Sequence, residues 1–256
     1  MTKRLFDIAL ALVLLPPILV LLLPLSCLIW LFDRKSPLYA GPRVGKDMRP
    51  FRQLKLRTMT PNADKAGVDA TPAGDPRITP LGHRLRRTKL DELPQVLNVL
   101  VGEMSFVGPR PNCSRECLMY SDVERRILSV PPGITDISSI VFSDEQEILR
   151  NEPDPDLGYH QLVRPWKSRY CLFYIEHRTL WFDMQLLGLT ALVLVSRPLA
   201  LSLLACRLRA LGATEDLVSM TRREQPFRPM APPGLGEPVK AVLGKGQPST
   251  QEESVH

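Results

Sequence analysis

The sequence predicts an α+β chain, mostly α, whose N-terminal helix is apolar and broken by prolines. Three observations carry this reading. Ile8 to Phe32 contains no charged residue. Phe51 to Leu56 alternates apolar and polar residues as a strand would. From Ile78 onward, apolar residues recur mostly at helical spacing.

As a straight helix, residues 8–32 would rise about 37 Å, enough for a hydrocarbon core of about 30 Å. A signal peptide fits poorly, because its apolar stretch runs only about 7–15 residues before small residues at a cleavage site. Here Cys27-Leu28-Ile29-Trp30 and then Asp33-Arg34-Lys35 follow. Pro16-Pro17 sits near the middle, with Pro24 beyond it. Each proline lacks an N–H and clashes with the preceding turn, costing about 3 kcal/mol in a helix interior. Both flanks are basic, Lys3-Arg4 and Arg34-Lys35, and basic flanks prefer the cytoplasm. Two such flanks suit a re-entrant helix that dips into the bilayer and returns to the same face. A single span is the other reading.

Ser36 to Met59 reads as a loop and a short β-hairpin, with Gly45-Lys46-Asp47-Met48 as its turn. Its basic residues, Arg43, Lys46, Arg49, Arg52, Lys55 and Arg57, are opposed only by Asp47. They form a solvated positive face or lie against anionic headgroups. Pro61 to Pro76 is a polar loop. Leu81, Leu85, Leu90 and Leu93 mark a helix crowded by Arg84, Arg86, Arg87 and Lys89, and Pro94-Gln95 opens the next. Val107-Gly108-Pro109-Arg110-Pro111 is a rigid turn, and Cys113 to Val130 is expected as one amphipathic helix ended by Pro131-Pro132-Gly133. Ser143 to Pro165 reads as helix then loop, and Trp166 to Val195 as a helix or helix pair. The expected units are a membrane helix over 1–35, a main domain over 36–190 with amphipathic helices at the membrane surface, an apolar or amphipathic helical extension over 191–215, and a proline-punctuated disordered tail over 216–256.

Composition narrows the function. Lysine plus arginine total 33 against 27 acids, a net charge of +6, which favours anionic partners. Five scattered cysteines make no disulfide framework. No phosphate-binding loop, dinucleotide fingerprint or nucleophile elbow occurs. The four histidines do not cluster, Cys113 and Cys117 lack a second pair, and the basic stretches hold few aromatics. Zinc and nucleic acid are therefore disfavoured.

One constellation can carry chemistry. Leu90-Asp91-Glu92-Leu93-Pro94-Gln95 sets two adjacent carboxylates after a basic cluster. Neighbours on a helix point roughly 100° apart, so the two acids do different work. One could attack phosphorus while the other holds a hard cation such as Mg²⁺, with nearby arginines clamping phosphate oxygens. The plainer reading of any Asp-Glu pair is a surface ion pair with Arg84 or Arg87.

The dyad does not stand alone. Lys3-Arg4-Leu5-Phe6-Asp7-Ile8, the proline-broken run, Arg43-Val44-Gly45, Lys55-Leu56-Arg57-Thr58-Met59, Asp75-Pro76-Arg77-Ile78-Thr79, the dyad segment and Val107-Gly108-Pro109-Arg110-Pro111 follow in one order. The series resembles the bacterial sugar transferase family, the monotopic polyprenyl-phosphate phosphoglycosyl transferases, over about residues 1–190. It looks like the family's small form, without a further N-terminal membrane bundle. Departures include Pro16-Pro17, Tyr39-Ala40-Gly41-Pro42, Lys89, Asp136 and His177.

The resemblance implies a ping-pong transfer of sugar-1-phosphate from a UDP-sugar to polyprenyl phosphate at the cytoplasmic face of the bacterial inner membrane. Asp91 would be the nucleophile and Glu92, with Asp91, would hold Mg²⁺. Lys55, Arg57, Arg77, Arg84, Arg87, Arg110 and Pro111 would bind phosphate or nucleotide, and Asp183 would be a second acid. The implied partners are UDP-sugar, polyprenyl phosphate, membrane lipid, downstream glycosyltransferases and a second copy in a homodimer, with no nucleic acid. The alternative is a non-catalytic membrane scaffold whose basic surface recruits glycan-assembly partners.

Overall fold

A computed structural model of the chain describes residues 2–63, 75–150 and 152–241. The expected polar loop over 61–76 lies mostly outside these residues, and so does the last part of the expected tail. The molecule is mostly helical. Helix α1 spans Thr2–Asp33 as one element through Pro16, Pro17 and Pro24, so the expected break is not seen as an interruption of the helix. By length and composition it can cross a membrane, with a mean hydropathy of 2.8 over its most apolar 18 residues.

One stripe of α1 faces the rest of the chain along its whole length: Arg4, Asp7, Ala11, Leu14, Ile18, Leu22, Leu25, Ile29 and Asp33. The spacing of three or four residues keeps a single face in register. That continuous contact accounts for a helix that tolerates three prolines, since neighbouring residues support the turns the prolines weaken. The outer face leaves Leu12, Val13, Val20, Leu23, Leu31 and Phe32 exposed.

Strands β1 (Leu38–Val44) and β2 (Pro50–Leu56) form the expected antiparallel hairpin, with Leu38 opposite Leu56 and Val44 opposite Pro50. Helix α2 (Pro80–Thr88) starts on Thr79, whose hydroxyl accepts from the Gly82 amide at 3.0 Å. A Cβ on Gly82 would lie 2.0 Å from the Thr58 carbonyl oxygen, so only glycine lets α2 cross there. Lys89, in the left-handed region at φ 59°, ends α2 and turns the chain into a 3-10 turn at Leu90–Glu92, before α3 (Gln95–Val101). Asn98 docks α3 on the hairpin by accepting from the Leu54 amide at 3.0 Å and donating to the Arg52 carbonyl at 2.8 Å.

Strands β3 (Ser105–Val107) and β4 (Gly133–Thr135) pair in parallel, a second sheet that the three-residue runs were too short to announce. The two glycine motifs meet here. A Cβ on Gly133 would sit 2.1 Å from the Gly108 nitrogen, so the backbones pass in near contact.

The expected single helix over 113–130 is instead α4 (Ser114–Leu118), α5 (Asp122–Arg125) and a 3-10 turn at Arg126–Ser129. The correction has a local cause: Ser121 and Glu124 make a capping box that starts a new helix. Glu124 is then buried against Arg164 at 2.7 Å and Ser168 at 2.7 Å. Helices α6 (Ile137–Val141), α7 (Glu145–Ile148) and α8 (Pro155–Gly158) follow. The expected pair is α9 (Arg164–His177) and α10 (Leu180–Val195), succeeded by α11 (Arg197–Ala210) and α12 (Glu215–Arg222).

The main core joins α3, β3, α6, α9, α10, α11 and α12. This corrects the expected disorder over 216–241. Leu217, Val218, Met220 and Thr221 are buried, and the Tyr170 hydroxyl reaches Thr221 at 2.8 Å. Beyond α12 the Met230 amide donates to the Gln161 carbonyl at 3.1 Å, and Gln161 donates to the Val239 carbonyl at 2.8 Å. Proline-rich composition suggested a free tail, but the apolar residues of 217–220 are few enough to escape a periodicity count and still fill one groove.

Candidate active site

Asp91 and Glu92 lie on the 3-10 turn and are both buried, at 5% and 9% exposure. They line a cavity of about 1410 Å³ bounded by α1, the hairpin, α2, β4, α6 and α10. The docking of α3 on β2 brings Lys55 over the dyad, while the contact of β3 with β4 brings Arg110 to its other side. Lys55 donates to Glu92 Oε1 at 3.1 Å. Arg110 grips both Glu92 oxygens, the Oε2 contact at 3.2 Å, and donates to the Ile134 carbonyl at 3.2 Å. Glu92 is thus saturated by two cations.

Asp91 is not. Its Oδ1 is buried without a hydrogen-bond partner among the described residues. The electrostatics separate the two acids. Burial raises the Asp91 carboxyl above its ordinary value, reinforced by the charge of Glu92 and opposed by Lys55. Burial pushes Glu92 up too, but Arg110 and Lys55 together outweigh it and hold that carboxyl well below the usual range. The Glu92 charge in turn raises Arg110. Lys55 is lowered, by burial first and by Arg110, with Glu92 opposing. Adjacent carboxyls driven apart in this way suit different roles.

The predicted residues divide. Lys55, Arg84, Arg87, Asp91, Glu92 and Arg110 share the cavity lining, with Arg84 and Arg87 exposed at its edge. Arg57 and Arg77 also border it, but Arg57 is held in a two-pronged pair with Asp33 at 2.5 and 2.7 Å, and Arg77 pairs with Asp75 at 2.7 Å. Pro111 lies outside the cavity, against a small crevice beside Val44 and Tyr120. Asp183 is not brought to the dyad. Its oxygens accept from Lys3 at 2.5 Å and Tyr174 at 2.7 Å, which makes it part of the seat of α1.

Arg86 is not among the residues expected to bind phosphate. Its Nε donates to Thr58 Oγ1 at 2.8 Å, it lines the cavity, and its charge acts on Asp91. Helical phase carried the signal, because Gly82, Leu85 and Arg86 lie on one side of α2 with Gly82 and Leu85 buried.

Mg²⁺ can be tested against the donors. Among the described residues no group of three or more His, Cys, Asp or Glu forms a metal cage. Magnesium does not need one, since it takes one or two carboxylates and completes its shell with water and substrate phosphates. Asp91 Oδ1 is the one open oxygen of the dyad, and Glu92 joins that donor set only by giving up Lys55 or Arg110, which now hold both its oxygens.

Residues 1–197 match the model of the bacterial sugar transferase family. The chain belongs to that family. It is 34% identical over 213 residues to the UDP-galactose-lipid carrier transferase of Erwinia amylovora, covering 76% of this chain and 40% of that protein. It is 35% identical to the UDP-glucose:undecaprenyl-phosphate glucose-1-phosphate transferase of Escherichia coli, covering 73% and 39%. To the exopolysaccharide production protein ExoY of Sinorhizobium fredii it is 36% identical, covering 54% and 68%. The chain therefore spans about two fifths of the first two relatives.

Proposed function

We propose that this sugar transferase homologue moves a sugar-1-phosphate from a UDP-sugar to undecaprenyl phosphate or a similar polyprenyl phosphate, releasing UMP. The observation that carries the proposal is the buried, unpartnered Oδ1 of Asp91 at the cavity beside a Glu92 already neutralised. A desolvated carboxylate oxygen with no hydrogen bond to give up is a stronger nucleophile than a solvated one. In the first step this oxygen attacks the sugar-linked phosphorus of the donor. The bond to the bridging oxygen breaks, and UMP departs with that oxygen and its electron pair. A phosphate oxygen of the acceptor then attacks the same phosphorus, and Asp91 leaves as carboxylate.

Lys55, Arg86 and Arg110 orient the diphosphate and spread its charge. Arg84 and Arg87 extend the cationic wall toward the nucleotide. Mg²⁺, held by the open Asp91 oxygen and by Glu92 in exchange for one of its two cationic partners, would neutralise charge on the diphosphate when bound.

The same reading places the chain at the cytoplasmic face of the inner membrane, with α1 re-entrant. What supports re-entry is the double attachment of α1. Arg4 donates to the Val99 and Leu100 carbonyls near one end, and Asp33 binds Arg57 at the other. Both ends, about 44 Å apart along the helix, bind the same domain, which a single span would require to reach both sides of the hydrocarbon. The names of the relatives, which include galactose and glucose phosphotransferases, support the reaction class.

The test is intact-mass detection of a phosphosugar adduct on the full chain in detergent with a panel of UDP-sugars and no acceptor. The wild type should gain the adduct with stoichiometric UMP. Asp91→Asn should show neither, and should melt no lower than wild type because it relieves a buried charge. UMP release by Asp91→Asn at the wild-type rate would sink the assignment.

A further inference from the structure

Beside an acidic side at Asp144, Glu145 and Glu147, the cavity has two further chemistries. Its floor is cationic, with Lys55, Arg86 and Arg110 around the dyad. Its rim between α1 and α10 is apolar, with Leu14 and Ile18 on one side and Val193 and Leu194 on the other. Beyond that rim, α10 and α11 continue the apolar surface as a hairpin joined at Ser196. Trp181, Met184, Leu194, Val195, Leu199 and Leu203 are exposed on it, Val195 at 86%.

Charge is absent from the exposed positions between Thr179 and Cys206, and exposed arginines, Arg178 and Arg209, stand at the two far ends. Arg197 at the tip is the exception, partly exposed but neutralised by Asp144 at 2.9 Å and bonded to the Ser143 hydroxyl at 3.0 Å. The helices are about 24 and 21 Å long, too short to cross a core of about 30 Å. They are long enough to sink one face into a single leaflet with both arginines at headgroup level.

We propose that the tip of the α10–α11 hairpin and the middle of α1 are the two lips of a lateral portal, in which the isoprenoid chain of the acceptor lipid lies while its phosphate reaches the cationic floor. The proposal rests on the transferase reading. One amphiphile, anionic at its head and apolar along its tail, matches both parts of one cavity. A free phosphate or a nucleotide matches only the floor. Leu199 and Leu203, on the outer lip, come from residues beyond the 1–197 matched to the family, so this chain builds part of the portal with its own extension.

The experiment uses the full chain in lipid nanodiscs. It measures equilibrium binding of undecaprenyl phosphate and of short-chain geranyl phosphate, and in parallel UMP release from UDP-sugar without acceptor. Leu199→Asp introduces charge at a position 50% exposed on the outer lip, outside the cavity lining, and Leu199→Met keeps the apolar surface. Leu199→Asp is expected to weaken undecaprenyl phosphate binding about tenfold while geranyl phosphate binding and UMP release stay at wild-type levels. Leu199→Met is expected to match wild type throughout. Unchanged binding of the long chain by Leu199→Asp overturns the portal, and so does an equal loss for both chain lengths. Leu199-dependent binding of the long chain by a wild type that releases no UMP from any UDP-sugar supports the portal and overturns the transferase reading.

Discussion

Two charged clusters, one under α1 and one in the cavity, are built from the same kinds of side chain and end in opposite states. At the seat of α1, both oxygens of Asp183 accept, from Lys3 and Tyr174, and both oxygens of Asp7 accept, from the Ser105 hydroxyl at 2.9 Å and the Phe106 amide at 3.2 Å. Arg4 covers the Val99 and Leu100 carbonyls at the end of α3, groups a helix terminus leaves without intrahelical partners. In the cavity, Glu92 is equally complete, but its neighbour keeps one buried oxygen open. A closed cluster fixes a helix in place. An open atom inside an otherwise satisfied cluster is costly to leave unpaired, and that cost marks where a ligand is expected.

The comparison can be broken most forcefully at Glu92. Glu92→Gln leaves Lys55 and Arg110 facing each other without their carboxylate. Donor-only UMP release is expected to fall about 10²–10³-fold, and stability by about 1–3 kcal/mol. The loss is smaller than for a fully buried pair because Arg110 and Lys55 remain 30% and 25% exposed. Denaturant melts and stopped-assay UMP measurements read the two effects.

A pH profile sharpens the cavity side. Attack requires ionised Asp91, and burial raises that carboxyl above its ordinary 3.8. The rate should therefore fall, as pH is lowered, at a higher pH than an unperturbed aspartate would give. Lys55→Ala removes a charge that lowers Asp91, so the acid limb should move further up. A limb that stayed fixed in Lys55→Ala would detach the titration from Asp91.

At the seat of α1, Asp7→Ala strands the Ser105 hydroxyl and the Phe106 amide in a buried site. The expected cost is about 1–3 kcal/mol in unfolding free energy, with UMP release per folded molecule near wild type. A loss of release with no loss of stability would give Asp7 a part in the chemistry. The smallest effect concerns the turn that delivers the dyad. Lys89 holds φ 59°, where an L side chain costs about 1 kcal/mol. Lys89→Gly should raise the unfolding midpoint by a correspondingly small amount, reduced by the greater freedom of glycine in the unfolded chain.

The hairpin, the apolar N-terminal helix, the α9–α10 pair and the dyad were legible in order, because each rests on periodicity or on residues adjacent in the chain. Other site residues have partners that no local pattern shows. Asp183, expected as a second acid, meets Lys3, which lies 180 residues away. Arg57 and Arg77, expected as phosphate clamps, border the cavity with their guanidinium groups paired to Asp33 and Asp75. Arg86 was obscured by the neighbouring arginines until the burial of Gly82 and Leu85 fixed the phase of α2.

Sequence alone therefore determined which side chains are present at the dyad, where the chain is apolar enough for lipid, and the family. Tertiary structure alone decided which cations reach Glu92, which carboxylate oxygen stays open, and that α12 belongs to the core. The division is physical. Helix and strand patterns arise from spacings of two to four residues, whereas an ion pair or a cavity wall depends on groups that the chain brings together only after the segments between them have packed.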